Sequence, residues 1–204
     1  MKENYQRKME EQIKAIKKEY KEKPTLLLHS CCAPCSTAVL ERLIENFDIK
    51  IYYYNPNTYP ENEYYKRLEE LKSYLLEYHK DSEIEVIESE YVADEFFNKI
   101  KGLENEAEGG KRCYACYELR MEATASLAEK MGFDYFTTVL SISPHKNAQW
   151  INEIGKELGK TYKTNFLYGD FKKKNGFKRS VELSNEAELY RQDYCGCVFS
   201  VREQ

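Results

Sequence analysis

The sequence lacks a run of apolar residues long enough to cross a lipid bilayer, and it does not open with the pattern of a secretory signal peptide. We therefore expect a cytoplasmic protein that does not enter a membrane. Internal repeats and low-complexity linkers are also missing, so we interpret residues 1–204 as a single domain, with residues 1–21 as an N-terminal surface helix. At 204 residues and 42% hydrophobic content, the chain can bury a core without a metal that serves only to keep it folded.

An overall excess of positive charge is missing too, because the formal net charge is −4. The charge is unevenly distributed. Residues 1–110 contain 16 Lys and Arg against 23 Asp and Glu, whereas residues 111–204 contain 15 against 12. Five basic residues follow Asp170 in the segment 170–179, namely Lys172, Lys173, Lys174, Lys178 and Arg179. Such a segment is either an ordinary solvated loop or a surface that binds phosphates.

Cysteine, by contrast, is abundant and clustered. The seven cysteines are Cys31, Cys32 and Cys35 in HSCCAPCS, Cys113 and Cys116 in RCYAC, and Cys195 and Cys197 in YCGC. In a reducing compartment, closely spaced cysteines are more often metal ligands or catalytic thiols than structural disulfides. An odd number also cannot close completely into disulfides. The sequence therefore predicts that the thiols bind metal.

The ligand type narrows the choice of metal. Thiolates are soft donors that suit zinc or iron with sulfide, and we favour iron with sulfide. Seven thiolates exceed the four of a simple cubane, so a second metal is expected beside the first. Neighbouring side chains usually diverge, so Cys31 and Cys32 are expected to serve two different metals. Asp193 is a candidate oxygen ligand, in competition with Asp170.

Strands and helices alternate along the sequence. Residues 26–28, 49–54, 83–87, 133–140 and 165–168 are predicted as strands, with helical periodicity between them. A last helix is expected from Ser184, as its N-cap, to Tyr190. The alternation predicts a three-layer α/β domain with a mainly parallel sheet. Ligands of such sheets bind beyond the carboxyl ends of the strands, so HSCCAPCS should lie near residues 141–146 and 169–172.

Six stretches of the sequence follow one another in a recognisable order. They are LLLHSCCAPCS, YNPNTYPENEYYKR, EGGKRCYACYELR, TTVLSISPHKN, and LYGDFKKKNGFKRS followed by LYRQDYCGC. Together they resemble the QueH-type epoxyqueuosine reductases, from about Leu26 to Ser200, with every cysteine position matching. The resemblance implies a Rossmann-like, nucleotide-alpha-hydrolase-like fold. It also implies the last step of queuosine biosynthesis, the reductive removal of the epoxide oxygen of epoxyqueuosine at the wobble position of tRNA.

The resemblance further implies an iron-sulfur cluster, which we expect to be of the 4Fe-4S type, with an additional iron nearby and no cobalamin. It does not specify which thiol binds which metal. We expect all seven cysteines and Asp193 to bind metal. Cys31 or Cys32, Asp193 and one of Cys195 or Cys197 are assigned to the additional iron, which makes Cys31, Cys32 and Asp193 the candidate catalytic residues.

The partners expected from this activity are a tRNA that carries epoxyqueuosine and an electron donor that the sequence does not identify. Phosphates of the tRNA should contact basic side chains near the metals and in the segment 170–179. The candidates are Arg112, Lys146, Lys172, Lys173, Arg179 and Arg191, with Lys174 and Lys178 beside them.

Two alternative functions remain open from the sequence. A sulfur-transfer or ATP-dependent tRNA-modifying enzyme of the same broad fold would need a phosphate loop rich in glycine and serine, where this chain has HSCCAPCS. A zinc-dependent nucleic-acid-binding protein would use the same thiols without redox chemistry. Bound iron and sulfide would favour the reductase over both.

Overall fold

Five strands form the centre of the molecule, of which the computed structural model describes residues 3–82 and 84–201. The strands are β1 (Thr25–His29), β2 (Asp48–Tyr53), β3 (Val86–Glu88), β4 (Tyr135–Thr138) and β5 (Asn165–Phe166). Within these residues they form one sheet in the order β3-β2-β1-β4-β5, and every neighbouring pair is parallel. The predicted parallel sheet is confirmed.

Helices cover the sheet. They are α1 (Tyr5–Glu19), α2 (Ala33–Leu43), α3 (Glu61–Tyr78), α4 (Ala93–Lys99), α5 (Lys111–Met131), α6 (Ala148–Thr161) and α7 (Gly176–Glu186). Right-handed crossovers place α2 and α3 on one face and α5 and α6 on the other. Accordingly α2 contacts α3, and α5 contacts α6. This is the predicted three-layer α/β architecture. Between residues 3 and 201, leaving out residue 83, each helix is too short or too polar to span a bilayer.

The central strand β1 is buried on both sides. Leu26, Leu27 and Leu28 have no exposed surface, because β2 and β4 flank β1 and helices cover both faces of the sheet. The middle of a parallel strand in this position is a continuous apolar run instead of an alternating pattern, as Leu26, Leu27 and Leu28 are in β1.

The order of the strands reverses beside β1. From β1 the chain proceeds outward to β2 and β3, and then returns to add β4 and β5 on the other side of β1. His29, the last residue of β1, is in register with Thr138, the last residue of β4. Ligands of open α/β sheets bind in the crevice beyond the carboxyl ends of the strands at such a reversal. The first cysteine cluster begins two residues after His29.

Several predicted boundaries change. The strand predicted at 83–87 is β3, Val86–Glu88, and Glu83 lies outside the described residues. The strand predicted at 133–140 ends at Thr138, and a 3-10 turn over Val139–Ile142 follows it. The predicted N-terminal helix is α1, although residues 1 and 2 also lie outside the described part of the chain. Our interpretation of residues 1–204 as one domain stays a prediction.

The prediction of a last helix from Ser184 to Tyr190 is wrong. Helix α7 ends at Glu186, and Ser184 lies inside it, where its Oγ donates to the carbonyl of Ser180 at 2.5 Å. The helix begins earlier than predicted because Asn175 adopts a left-handed conformation, with φ of 62°, that turns the chain into α7. The basic segment is therefore a turn followed by the first turn of a helix, and not a continuous loop.

Asn152 of α6 holds the loop that follows β5. Its Nδ2 donates to the carbonyls of Ala148 at 2.7 Å and Gly169 at 2.9 Å, and its Oδ1 accepts from the N–H of Gly169 at 2.9 Å. The side chain is fully buried. These bonds position residues 167–172 at the carboxyl edge of the sheet.

We predict that Asn152→Asp destabilises the fold by about 3 kcal/mol, because a buried carboxylate would face two carbonyl oxygens without the Nδ2 donor. Asn147→Asp is the matched control. Asn147 is the N-cap of α6, where its side chain accepts from the N–H groups of Gln149 and Trp150. Asp serves equally well at that position, so the change in unfolding free energy should stay within about 0.5 kcal/mol. Urea denaturation at pH 7 measures both variants, and equal losses would contradict the role given to Asn152.

Candidate metal centre

The first sulfur group lies at the N-terminus of α2. The sulfur atoms of Cys31, Cys32 and Cys35 all lie within 4.8 Å of one another, and the Sγ atoms of Cys31 and Cys32 are 3.8 Å apart. Two thiolates on one tetrahedral metal ion are separated by about 3.8 Å when each metal–sulfur bond is about 2.3 Å. The sulfurs of Cys31 and Cys32 are therefore already at the spacing of ligands to a common metal, and the sulfur of Cys35 lies within 4.8 Å of both.

The expectation that the side chains of Cys31 and Cys32 diverge is wrong. Cys32 is the N-cap of α2 and has an extended backbone, with φ of −176° and ψ of 162°. Its Sγ accepts a hydrogen bond from the N–H of Cys35 at 3.4 Å. This capping geometry directs the sulfur of Cys32 back over the helix start, next to the sulfur of Cys31.

Local hydrogen bonds fix the loop that carries this group. The Oγ of Ser36 donates to the carbonyl of Cys32 at 3.0 Å and lies 2.7 Å from the Oγ of Ser30. The Nδ2 of Asn55, beyond β2, donates to the carbonyl of Ser30 at 2.9 Å. The neighbouring strand thus holds the cysteine loop in place.

The second sulfur group combines the other two motifs. Cys113 and Cys116 lie near the start of α5, and Cys195 and Cys197 lie on the segment that precedes the 3-10 turn Val198–Ser200. Cys116 and Cys197 belong to one small buried cluster. Burial raises the pKa of Cys116 to about 12, with further contributions from the negative charges of the other three cysteines. Four thiols from two distant segments therefore lie within electrostatic range of one another.

Contacts with the segment that follows β2 hold the CGC motif in this position. The N–H of Tyr59 donates to the carbonyl of Gly196 at 2.7 Å, and the Oη of Tyr194 donates to the carbonyl of Tyr59 at 2.7 Å. Gly196 has φ of +111°, and a Cβ there would lie 2.9 Å from Nη1 of Arg67. Both the conformation and the space require glycine between the two cysteines.

A cavity of about 280 Å³ brings the two sulfur groups together. Its wall includes Cys31 and Cys35 from the first group and Cys113 and Cys195 from the second. Charged and titratable side chains complete it, among them Arg67, Glu108, His145, Lys146, Arg191 and Asp193. The predicted meeting of the three cysteine motifs is thereby found at the carboxyl edge of the sheet.

Positive charge acts on the sulfur atoms of the first group. Hydrogen bonds from Cys32 and Cys35 lower the pKa of Cys31 well below its usual value, and Lys146 and Arg120 act in the same direction. Burial acts to lower the pKa of Lys146, and the negative charges of Cys195, Cys31 and Cys35 outweigh it and raise that pKa. Burial raises the pKa of Cys32, and the neighbouring Cys31 raises that of Cys35, so Cys31 is the thiol of this group that most readily becomes the thiolate that metals bind.

Two buried arginines beside the sulfurs were not predicted. Arg67 is 2% exposed, and its Nε donates to Oε1 of Glu63 at 2.7 Å. Arg120 is 1% exposed, and its Nε donates to the carbonyl of Cys116 at 3.3 Å. One Nη2 in each has no hydrogen-bond partner among the described residues. The sequence indicates these contacts only through spacing, because each arginine follows the residue that accepts its hydrogen bond, Glu63 or Cys116, by four positions on a helix.

The two candidate aspartates differ in their surroundings. Asp193 is exposed on the cavity wall. Asp170 pairs with Lys172 at 2.6 Å. Of the histidines near the site, His145 lies on the wall, whereas His29 is buried between Oγ1 of Thr138 at 2.8 Å and the carbonyl of Tyr54 at 3.0 Å. The positions favour Asp193 over Asp170 as the oxygen donor.

The basic side chains predicted to contact phosphates lie in different surroundings. Lys146 and Arg191 line the cavity. Arg112 is buried and donates to the carbonyls of Glu104 and Glu106, so its guanidinium supports that turn.

In the basic segment, the acidic partners differ from residue to residue. Arg179 pairs with three glutamates, and Lys172 with Asp170. Lys174 pairs with Glu10 at 2.5 Å and Lys178 with Glu182 at 3.8 Å, whereas Lys173 has no ion pair among the described residues. All three lysines are exposed, and Lys173 is the one best placed for an external anion.

The donor set fits a thiolate-bound metal centre. Three sulfurs lie within 4.8 Å of one another, the other four cysteines influence one another electrostatically, and Arg67 and Arg120 are buried with an Nη2 that has no partner among the described residues. Soft sulfur ligands suit iron with sulfide or zinc. All seven cysteines are free thiols.

Comparison with known proteins agrees with the resemblance seen in the sequence. The family model described as epoxyqueuosine reductase QueH matches residues 26–203. An epoxyqueuosine reductase QueH of Streptococcus pyogenes serotype M1 is 43% identical over 203 residues, which cover 98% of this chain and 79% of the relative. The Staphylococcus epidermidis protein of the same name is 44% identical over 187 residues, with coverage of 90% and 79%. The one from Thermotoga maritima is 36% identical over 183 residues, with coverage of 88% and 92%.

We predict that Gly196→Ala removes most of the metal that the protein holds after anaerobic purification, because a Cβ would displace Arg67 and move both flanking cysteines. Gly102→Ala is the matched control. Gly102 also has a positive φ, of +83°, but a Cβ there would meet nothing within 4 Å. It should lose about 1–2 kcal/mol of stability through backbone strain and keep its metal. Plasma emission spectrometry measures the metal content per chain of both variants. Equal metal content would contradict the role of Gly196.

Proposed function

Because the chain belongs to the epoxyqueuosine reductase QueH family, we propose that it reduces epoxyqueuosine at the wobble position of tRNA to queuosine. This is the last step of tRNA queuosine biosynthesis. The observation that supports the proposal most strongly is the cavity at the carboxyl edge of the sheet, whose wall carries sulfur atoms from all three cysteine motifs. A binding protein would not need sulfurs on the wall of an open cavity.

The reaction defines what the site must supply. The epoxide takes up two electrons and two protons, both of its carbon–oxygen bonds break, the oxygen leaves as water and a carbon–carbon double bond forms. The site therefore needs a source of electrons, proton donors, and groups that stabilise negative charge on the departing oxygen.

The seven cysteines and Asp193 would hold the metals. For the additional iron we assign Cys31 or Cys32, Asp193 and one of Cys195 or Cys197. When bound, a 4Fe-4S cluster and an additional iron would supply single electrons and a Lewis acid for the epoxide oxygen. The positions of Cys31, Cys195 and Asp193 on the wall of one cavity support this assignment.

The protein's own groups would act on the departing oxygen. Lys146 and Arg67 both line the cavity, and Arg67 has an Nη2 without a partner among the residues described. Fixed N–H donors in a partly enclosed site stabilise negative charge that develops during a reaction. The Nζ of Lys146 holds a proton there, since the neighbouring thiolates raise its pKa.

The tRNA would approach from the side of α7. Phe177 and Ser180, on the first turns of α7, line the cavity. The exposed Lys173, Lys174 and Lys178 flank these residues in the sequence, so phosphates held by the lysines would place the anticodon loop at the cavity mouth. The modified base must leave its stack to reach the sulfurs, which an unpaired loop base does at low cost.

The remaining partners follow from the chemistry. Thiol ligands must stay reduced, so we propose a cytoplasmic setting. An electron donor must deliver two electrons in each turnover. Its identity is left to experiment.

The direct test is anaerobic incubation of the iron-loaded protein, a chemical reductant and tRNA that carries epoxyqueuosine, followed by mass spectrometry of the nucleosides. We expect a nucleoside lighter by one oxygen to form. Asp193→Ala, which removes a proposed ligand, should lower both iron content and turnover, whereas the same change at Asp48, an exposed residue at the start of β2, should alter neither.

Three outcomes would contradict this account. A fully loaded protein that leaves epoxyqueuosine intact would refute the reductase. A colourless protein that contains zinc would favour the nucleic-acid-binding alternative. Unchanged iron and turnover in Asp193→Ala would remove Asp193 from the site.

We predict that tRNA affinity falls steeply with salt. The triple change Lys173→Gln, Lys174→Gln and Lys178→Gln should make this dependence shallower, reducing the magnitude of the slope of log association constant against log salt concentration by about 2. The control triple, Lys130→Gln, Lys160→Gln and Lys163→Gln, removes the same charge from exposed positions at the opposite edge of the sheet. It should leave the slope nearly unchanged. Filter binding between low and moderate salt measures both, and equal slopes for the two triples would contradict the proposed tRNA surface.

A further inference from the structure

Arg120 is a charged side chain in the interior of the protein. It lies on α5, four residues after Cys116, and only 1% of it is exposed. A guanidinium stays protonated under all ordinary conditions, so this position buries a permanent positive charge. Burial of such a charge is strongly unfavourable unless a negative charge compensates it.

The partners of Arg120 do not supply that compensation. Its Nε donates to the carbonyl of Cys116 at 3.3 Å, and its Nη2 has no hydrogen-bond partner in the described part of the chain. Carboxylates also fail to reach it, because the ion pairs found among residues 3–82 and 84–201 do not include Arg120. The contrast is Arg67, equally buried, which pairs with Glu63 at 2.7 Å.

Thiols act on Arg120 in place of carboxylates. Burial acts to lower the pKa of Arg120, and Cys116, Cys195 and Cys31, when they are thiolates, act to raise it. Cys116 and Cys195 belong to the second sulfur group and Cys31 to the first. Arg120 therefore lies within electrostatic range of both groups.

We propose that Arg120 is the buried counter-charge of the metal centre and sets its reduction potential. The inference rests on the metal-binding part of the proposed function. A centre held by several thiolates carries net negative charge, which the guanidinium compensates while its unpaired N–H group donates toward a ligand sulfur. Hydrogen bonds to sulfur and nearby charge are known determinants of the potential of such centres.

Two consequences follow from this role. Compensation stabilises the reduced state of the centre, which is the more negative one, so loss of Arg120 makes the reduction potential more negative. Metal binding keeps the ligand thiols deprotonated, whereas without metal they can take up protons, and the guanidinium then loses the negative charge that compensates it. The metal-free protein should then gain from replacing Arg120 with an apolar residue of similar length.

The experiment compares Arg120→Met, Arg120→Lys and a control, Arg7→Met, with the native protein. Arg7 is exposed on α1 and pairs with Glu11. Anaerobic redox titration followed by electron paramagnetic resonance gives the midpoint potential. We expect Arg120→Met to shift the ratio of reduced to oxidised centre by about tenfold, or about 59 mV for one electron, toward the oxidised form. Arg120→Lys, which keeps the charge, should recover most of the shift, and Arg7→Met should show none.

A second measurement covers the case in which Arg120→Met does not take up metal. Urea denaturation of the metal-free proteins should show Arg120→Met to be at least as stable as the native protein, while Arg120→Lys takes up metal. A metal-free Arg120→Met that is clearly less stable, or an unchanged potential in a loaded Arg120→Met, would overturn the inference and leave the proposed function intact. A native protein that binds no redox-active metal would overturn both.

Discussion

Soft sulfur donors from three distant segments converge on one cavity at one edge of a parallel sheet, and the rest of the structure depends on that convergence. The topology produces it. The first cysteine motif follows the central strand β1 at the point where the strand order reverses. Helix α5, which carries the second motif, starts at the same edge because it follows the carboxyl end of β3 and leads the chain back to the opposite edge, where the parallel strand β4 begins. The third motif reaches the site through backbone and side-chain hydrogen bonds to Tyr59.

Convergence of so many thiols creates an electrostatic requirement. Thiolates in a partly buried site repel one another unless cations compensate them, and the structure places several cationic side chains there. Lys146 and Arg67 line the cavity, and Arg120 lies behind it. The same charges that would stabilise bound metal would also stabilise an anionic oxygen in the cavity. The same positively charged side chains would therefore stabilise both the metal ligands and the departing oxygen.

Much of this arrangement could be predicted from local sequence signals. The apolar run of β1, the Pro34 at the start of α2 and the alternation of strands and helices each depend on a few neighbouring residues, so they located the first cysteine motif at the sheet edge. The features that were missed depend on tertiary contacts. Charged residues on helices usually indicate a solvated face, which hid Arg67 and Arg120. The pairing of Cys31 with Cys32 depends on a backbone conformation at an N-cap, and the start of α7 on a left-handed Asn175.

The central claim is that one metal centre draws its ligands from both sulfur groups. Crystals of the anaerobically purified protein, measured on both sides of the iron absorption edge, test it most directly. The account predicts iron peaks within bonding distance of sulfur from the Cys31 to Cys35 loop and of sulfur from Cys113, Cys116, Cys195 or Cys197. Metal bonded to a single group, or a zinc signal in place of iron, would contradict it.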